Sequence, residues 1–337
     1  MEKKYCFGID IGGTTVKIGL FQTDGTLMDK WEVVTRTANG GEAILPDIAE
    51  SIQNKLDEKG IKKENVVGLG VGVPAATKDG IVKSTANLGW GYKDVKKELE
   101  ELTEVRVNVG NDANVAALGE MWKGGGQGYQ NQIMVTLGTG VGGGIIIDGH
   151  IHTGVRGAGG EIGHLCVEDD ETEVCGCGRT GCLEQYASAT GIVRLAKRRL
   201  VGNTDETVLN IDTVTAKDVF DAVKAGDKVA MEIAEDFGMY LGNALADIAA
   251  ILDPELFVIG GGVSRAGEVL LEYIKKNYLK QALWDNDKVE FVLAKLGNDA
   301  GIYGAAKLAL EQKYYIKRRW FNYKPSSFLL RIFLFII

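Results

Sequence analysis

A short glycine-rich segment joining two strand-like runs occurs twice in this chain, in the same surroundings. Asp10-Ile11-Gly12-Gly13-Thr14-Thr15-Val16-Lys17 follows the apolar run Lys4–Asp10 and leads into Thr15–Phe21. Leu137-Gly138-Thr139-Gly140-Val141-Gly142-Gly143-Gly144 follows Gln132–Leu137 and leads through a turn at Gly138–Gly144 into Gly144–Ile147. Each unit then meets a second hairpin signal, Asp24-Gly25 in one and Asp148-Gly149 in the other. Strand, glycine turn, strand, hairpin is therefore written twice, and the two copies share little sequence, so the repeat is architectural. Beyond each copy the chain alternates helical and strand patterns, which argues α/β layers. The chain must fold as two α/β lobes whose glycine turns face one another across a cleft, where ligands bind.

The remaining pattern fits that frame. Leu27–Thr35 returns from the first hairpin, and Gly41–Lys59 carries Ile44, Ile48, Ile52 and Leu56 at helical steps. Val66–Val73 and Val105–Val109 read as central strands, with a helix from about Ala113 to Trp122. In the second half, Glu184–Leu200, Ala216–Ala225 and Asp227–Leu252 read as helices. Leu256–Ile259 is a strand running into Gly260-Gly261-Gly262, followed by a helix over Ala266–Leu279, a strand over Val289–Ala294 and a closing helix over Asp299–Glu311. A length of 337 residues suits two domains, since single cores rarely grow past roughly 250–300 residues.

The glycine segments have chemistry as well as shape. Glycines let main-chain N–H groups approach an anion, and the threonine hydroxyls help cradle phosphate. Neither segment has the Gly-Lys-Ser/Thr ending of a Walker A loop, and neither opens a helix as a dinucleotide fingerprint does. Asp10, at the end of its strand, is placed to hold Mg²⁺ carried by substrate phosphates, or to cap the turn. Asn111-Asp112-Ala113-Asn114 follows a strand and starts a helix. Asn111 or Asp112 caps that helix, or Asp112 is a general base for an attacking hydroxyl.

Five cysteines, Cys6, Cys166, Cys175, Cys177 and Cys182, are an odd number with three crowded into one loop, which does not read as a disulfide framework. His164 with Cys175, Cys177 and Cys182 supplies an imidazole and three thiolates, the donor set of a closed structural Zn²⁺ site. Cys166 is a competing ligand, read here as a small packed hydrophobe. Glu161 and Glu184 flank the cluster, so a metal-fixed loop would turn both carboxylates toward one pocket suited to sugar hydroxyls. A net charge of −8 argues against a nucleic-acid partner. No secretory segment precedes the first strand, so a cytoplasmic location is expected. From Lys313 the chain carries Lys313, Lys317, Arg318, Arg319, Lys324 and Arg331 and no acid, and ends in an apolar run. That run is short of the about 20 residues needed to span a bilayer, so no integral membrane association is expected.

These motifs resemble the ROK family of repressors and sugar kinases, within the actin-like ATPase superfamily, and within it the zinc-containing bacterial glucokinases. The resemblance covers about residues 4–312. It rests on Leu137–Gly144 with Gly157-Ala158-Gly159-Gly160-Glu161-Ile162-Gly163-His164, and on Cys175–Glu184. It implies a two-lobed actin-like (ribonuclease H-like) α/β fold with a central cleft. The implied lobes are residues 1–115 with 300–317 and residues 116–299, with 318–337 an atypical tail; the last helix, about Ala300–Lys313, returns to the first lobe. The implied reaction is ATP-dependent phosphorylation of a hexose 6-hydroxyl, most simply that of D-glucose, with Asp112 as base. Alternatives are N-acetylmannosamine, N-acetylglucosamine or fructose as acceptor, or a sugar sensor without catalysis. By resemblance, Asn87, Asn111, Asp112, Glu161, His164 and Glu184 contact the sugar, and His164 is also a metal ligand. Asp10, Gly12, Gly13, Thr14, Thr15, Lys17, Gly138, Thr139 and Gly140 lie along the phosphates of ATP, with Gly260, Gly261, Gly262 and Val263 near the adenosine. ATP, Mg²⁺ and structural Zn²⁺ are the implied cofactors, and a homodimer or homotetramer the implied assembly. ROK repressors carry an N-terminal helix-turn-helix that this chain lacks before its first strand, so DNA binding is not expected.

Overall fold

In the computed structural model, residues 4–85 and 87–311 are described; the basic-apolar tail lies outside them. The first half supplies strands β1 (Tyr5–Ile11), β2 (Thr15–Gln22) and β3 (Leu27–Val34), a single turn α1 (Ala38–Gly41), helix α2 (Ile44–Lys59) and strand β4 (Val66–Val73). Three two-residue strands come next, β5 (Thr77–Lys78), β6 (Ile81–Val82) and β7 (Lys93–Asp94), then α3 (Val95–Thr103), β8 (Val107–Asn111) and α4 (Asp112–Lys123). The second half runs β9 (Gln132–Leu137), β10 (Val141–Ile147), β11 (His150–Ile151), α5 (Glu184–Ala187), α6 (Ala189–Leu200), α7 (Ala216–Lys224), α8 (Lys228–Leu252), β12 (Leu256–Gly260), α9 (Glu268–Gln281), β13 (Glu290–Leu293) and α10 (Ala300–Leu310).

The two large sheets have the same topology. One is ordered β3-β2-β1-β4-β8 and the other β11-β10-β9-β12-β13. In each, the first strand of the unit pairs antiparallel with the second and parallel with the fourth, as β1 does with β2 and β4, and β9 with β10 and β12. The hairpins explain this order: Asp24-Gly25 and Asp148-Gly149 close antiparallel pairs locally, whereas the parallel neighbours need helical crossovers. Buried strands such as Leu256–Gly260 are apolar throughout because helices cover both faces.

Each sheet has its own core. Phe7, Ile9, Ile18, Leu69 and Val71 pack with Ile44, Ile48 and Ile52 of α2. Val135, Leu137, Phe257 and Ile259 pack with Phe237, Leu241 and Leu245 of α8. The last helix, α10, lies on β1 and β4 of the first sheet and crosses α4. Its approach is close: a β-carbon on Gly70 would sit 1.7 Å from the carbonyl oxygen of Ala305. Among the described residues no helix is long and apolar enough to cross a membrane.

Several boundaries differ from those expected of the sequence. The second glycine turn is only residues 138–140, because β10 begins at Val141 rather than Gly144 and pairs Val141 with Leu137. The helix expected over Glu184–Leu200 is broken at Ser188, whose extended backbone ends α5 and whose Oγ caps α6 by accepting from Gly191 N–H at 2.9 Å. The β5-β6-β7 sheet has no readable alternation in strands of two residues.

Candidate active site

The first glycine segment is a tight loop. Gly12 N–H donates to Thr15 O at 3.0 Å, Thr35 Oγ1 donates to Gly12 O at 2.7 Å, and Thr35 N–H donates to Thr14 O at 2.9 Å. Thr14 and Gly13 stand exposed at its tip, with the exposed Asn87 beside Gly13. Register pairs Asp10 with Lys17, whose Nζ donates to Asn298 O at 3.2 Å. Burial, then the charge of Asp112, pushes the Asp10 carboxyl up to about 6, against the opposing pull of Lys17. Asp10 and Asp112 are thus neighbours close enough to feel each other's charge.

Asp112 is the first residue of α4, and Asn111 is that helix's cap, accepting from Asn114 N–H at 3.2 Å. Capping is therefore carried by Asn111, leaving Asp112 half-buried at the positive end of the helix. Burial raises the Asp112 carboxyl above its usual range, with Glu161 adding to the rise, while the N–H of Ala113 and the Asn111 side chain pull the other way. A partly desolvated carboxylate with an acidic neighbour is suited to accept a proton from a hydroxyl.

The second glycine segment is pinned by the start of α6. Ala189 N–H donates to Gly138 O and Thr190 Oγ1 to Thr139 O, both at 2.8 Å. The break at Ser188 thus brings the N-terminus of α6 against the loop and fastens it there. The Gly260-Gly261-Gly262 segment packs behind it, where a β-carbon on Gly261 would lie 2.5 Å from Leu137 O. Gly262 and Val263, with Ala189, Thr215 and Phe220, line a cavity of about 400 Å³, large enough for a base and ribose.

His164, Cys175, Cys177 and Cys182 place their ligand atoms within 4.8 Å of one another. Cys177 Sγ and Cys182 Sγ are 3.5 Å apart, and Cys175 Sγ is 3.8 Å from His164 Nδ1. A tetrahedral ion with metal–sulfur bonds of about 2.3 Å needs ligands about 3.8 Å apart, so the donor set fits. Hydrogen bonds from Arg179 pull the Cys177 thiol down to about 6, favouring the thiolate a cation requires. Cys166 is exposed, not packed as expected of a small hydrophobe; its Sγ turns to Asp169 Oδ1 at 3.6 Å, outside the cluster. The loop has a second anchor. Buried Glu171 accepts from Thr172 N–H and Glu173 N–H at 2.9 Å, from the Tyr186 hydroxyl, and from Arg198 at 3.0 Å, with Arg194 2.6 Å away.

Glu184 joins the cluster to the second glycine loop. The Cys175 thiol is 3.0 Å from its Oε1, His164 Nδ1 is 3.7 Å from the same oxygen, and Gly140 abuts its Oε2. Asp10, Asp112 and Glu161 thus form one group, Glu184, His164 and Gly140 a second, and Gly13 with Asn87 a third; Gly260–Val263 lie apart at the cavity. Sequence reasoning did not single out Thr35, Ser188, Thr190 or Glu171. A Ser-Ala-Thr-Gly run inside a helical pattern is the one local signal that pointed to the cap at Ser188.

Comparison with known proteins bears on this geometry. The profile described as "ROK family" matches residues 6–312. The chain is 43% identical over 320 residues to a glucokinase of Halalkalibacterium halodurans, covering 93% of this chain and 97% of that one. It is 36% identical to a glucokinase of Thermotoga maritima, covering 93% and 99%. Among solved structures, a ROK family glucokinase from Streptomyces griseus in complex with glucose and AMPPNP superposes with a TM-score of 0.69 at 34% identity, covering 90% and 98%.

Proposed function

The chain belongs to the ROK family, and on that premise we propose that it transfers the terminal phosphoryl group of ATP to the 6-hydroxyl of D-glucose. It is an ATP-dependent hexose kinase with the two-lobed actin-like fold. The observation that carries glucose as acceptor is the 43% identity with the Halalkalibacterium halodurans glucokinase along nearly all of both chains.

In the proposed mechanism the sugar lies between Asn87, Asn111, Asp112, Glu161, His164 and Glu184. Asp112 takes the 6-hydroxyl proton as the oxygen attacks the γ-phosphorus, and ADP leaves along the loops. Main-chain N–H groups of Gly13 and Thr14 and of Thr139 and Gly140 offset charge growing on the transferred group. Asp10 and Lys17 flank the β- and γ-phosphates, and the adenosine occupies the cavity at Gly262 and Val263. Mg²⁺ accompanying ATP would be held on the Asp10 side, where it would neutralise phosphate charge. Zn²⁺ on His164, Cys175, Cys177 and Cys182 would supply no bond-making chemistry; it would stiffen the loop that aims Glu184 and His164. We take residues 1–115 with 300–317 as one lobe and 116–299 as the other, with 318–337 a tail outside both. The enzyme is proposed to act in the cytoplasm as a homodimer or homotetramer, on the pattern of its family.

A coupled assay of ADP release across hexoses tests the reading. Glucose should give the highest kcat/KM; a preference for an N-acetylated hexose or fructose overturns glucose, and release independent of any sugar overturns the kinase.

A further inference from the structure

Among the described residues the chain passes between the two large sheets twice. It goes out through α4, which leaves β8 of the first sheet, packs on β10 of the second and crosses α10, and it returns from β13 through residues 294–299 into α10. Both passages are fastened to one side chain. Glu120, near the end of α4, is fully buried. Its Oε2 accepts from Gly125 N–H at 2.7 Å and Lys295 N–H at 3.0 Å, and its Oε1 accepts from Leu296 N–H at 2.8 Å. Its own carbonyl accepts from the N–H groups of Gly124 and Gly126. A β-carbon on Gly124 would lie 1.9 Å from Oε2, so the chain leaves room for this carboxylate.

No side-chain cation pairs with Glu120 among the described residues. A buried carboxylate held only by main-chain N–H groups is a costly way to fill space, and an apolar residue would pack there more cheaply. What the charge adds is direction: three short, charge-assisted bonds fix two separate chain segments against one helix. That helix begins at Asp112. The returning passage contains Asn298, whose carbonyl accepts from Lys17 of β2, just past the first glycine loop.

We propose that Glu120 is the hinge anchor, a positioning residue on the 116–299 lobe that ties the ends of both crossings to each other and so fixes the axis on which the cleft closes. It acts on Asp112 through α4 and on Lys17 through residues 294–299. The proposal rests on the kinase function proposed for the cleft, since closing over ATP and sugar is what the anchor serves.

Glu120→Gln keeps the volume and removes the charge, turning an amide N–H₂ toward main-chain donors. The variant should still bind glucose, lose on the order of 10²-fold in kcat, and show a raised ratio of glucose-independent ATP hydrolysis to sugar phosphorylation, because misaligned closure admits water. A role in stability alone would lower Tm and leave that ratio unchanged. Wild-type kcat and ratio in the folded variant overturn the proposal. Should Glu120→Gln not fold, Gly124→Ala decides, since it crowds the carboxylate from outside; a wild-type ratio there overturns the anchor, and a raised one supports it. If the wild-type protein releases no ADP with any hexose, the kinase reading fails and the anchor is tested separately by hydrogen exchange. The amides of Gly125, Lys295 and Leu296 should then open together; independent rates overturn it.

Discussion

Glu184 lies against Gly140: a β-carbon on that glycine would sit 2.6 Å from Glu184 Oε2. The contact joins a residue of the second glycine loop to a carboxylate that also touches the cluster of His164 and three cysteines. Gly140→Ala should therefore act at a distance from its own loop. Gly140 is not among the residues with positive φ, and the atom in the way is the end of a flexible side chain, so the fold should survive. Glu184 must swing out instead, and on the proposed function it then loses its hold on the sugar. A hydrogen bond to a charged group contributes about 1.5–3 kcal/mol, so KM for glucose should rise on the order of 10- to 100-fold. Steady-state kinetics with a thermal melt check this; an unchanged KM would show that Glu184 does not bind the sugar.

Asp112 is predicted to govern turnover and not affinity. Asp112→Asn keeps the shape of the side chain while removing its ability to accept a proton. The expected fall in kcat is about 10²–10⁴-fold, with the equilibrium dissociation constant for glucose nearly unchanged. Stopped turnover with retained binding by calorimetry is the expected pattern. Near-wild-type turnover would remove Asp112 from the role of base.

How much of this was legible depends on how local each signal is. The duplicated strand, glycine turn, strand and hairpin was readable because Asp24-Gly25 and Asp148-Gly149 fix antiparallel pairs within a few residues. The convergence of His164, Cys175, Cys177 and Cys182 was readable because three of the four lie within one loop. Glu171 and Glu120 were not readable. Each is one acid in a charged or helical stretch, and its burial depends on partners brought in by the fold, Lys295 being 175 residues from Glu120. Cys166 departs from expectation for a related reason: burial of a small side chain is decided by what packs on it, which sequence spacing does not contain. The split at Ser188 had a local signal, but the helical period on both sides masked it.

Asp10 should carry a stability cost that its function imposes. Its folded pKa, about 6, lies above the ordinary 3.8. The folded protein therefore binds more protons than the unfolded chain between those values, and stability falls as pH rises through that window. A shift of this size corresponds to roughly 2–3 kcal/mol above pH 7. Asp10→Asn should accordingly raise the Tm of the ligand-free protein near neutral pH, and the gain should shrink below pH 4, where both forms of Asp10 are protonated. Activity should drop in the same variant, the trade expected where a site is built at the expense of the fold. A Tm difference independent of pH would mean that the charge on Asp10 is not what destabilises the site.

Metal removal should separate positioning from folding. The loop bearing Cys175, Cys177 and Cys182 is held at two places, and the Glu171 anchor needs no ion. Burial works against the ionised Glu171 carboxyl, yet the Tyr186 hydroxyl, the Glu173 N–H and the Arg198 and Arg194 guanidiniums outweigh it and hold the group well below the usual carboxylate range. That anchor is fully present above about pH 4.5 and weakens only as pH falls below it. Chelation at neutral pH should then leave far-UV circular dichroism close to that of the untreated protein while freeing the tip of the loop. Glu184 and His164 lose their support, so KM for glucose should rise more than kcat falls, and KM for ATP should change least because Gly138–Gly140 is pinned independently by α6. Atomic absorption on the purified protein should find about one zinc per chain, the stoichiometry of a closed four-ligand site. A zinc-free protein with unaltered KM for glucose would show that the cluster does not support the sugar pocket.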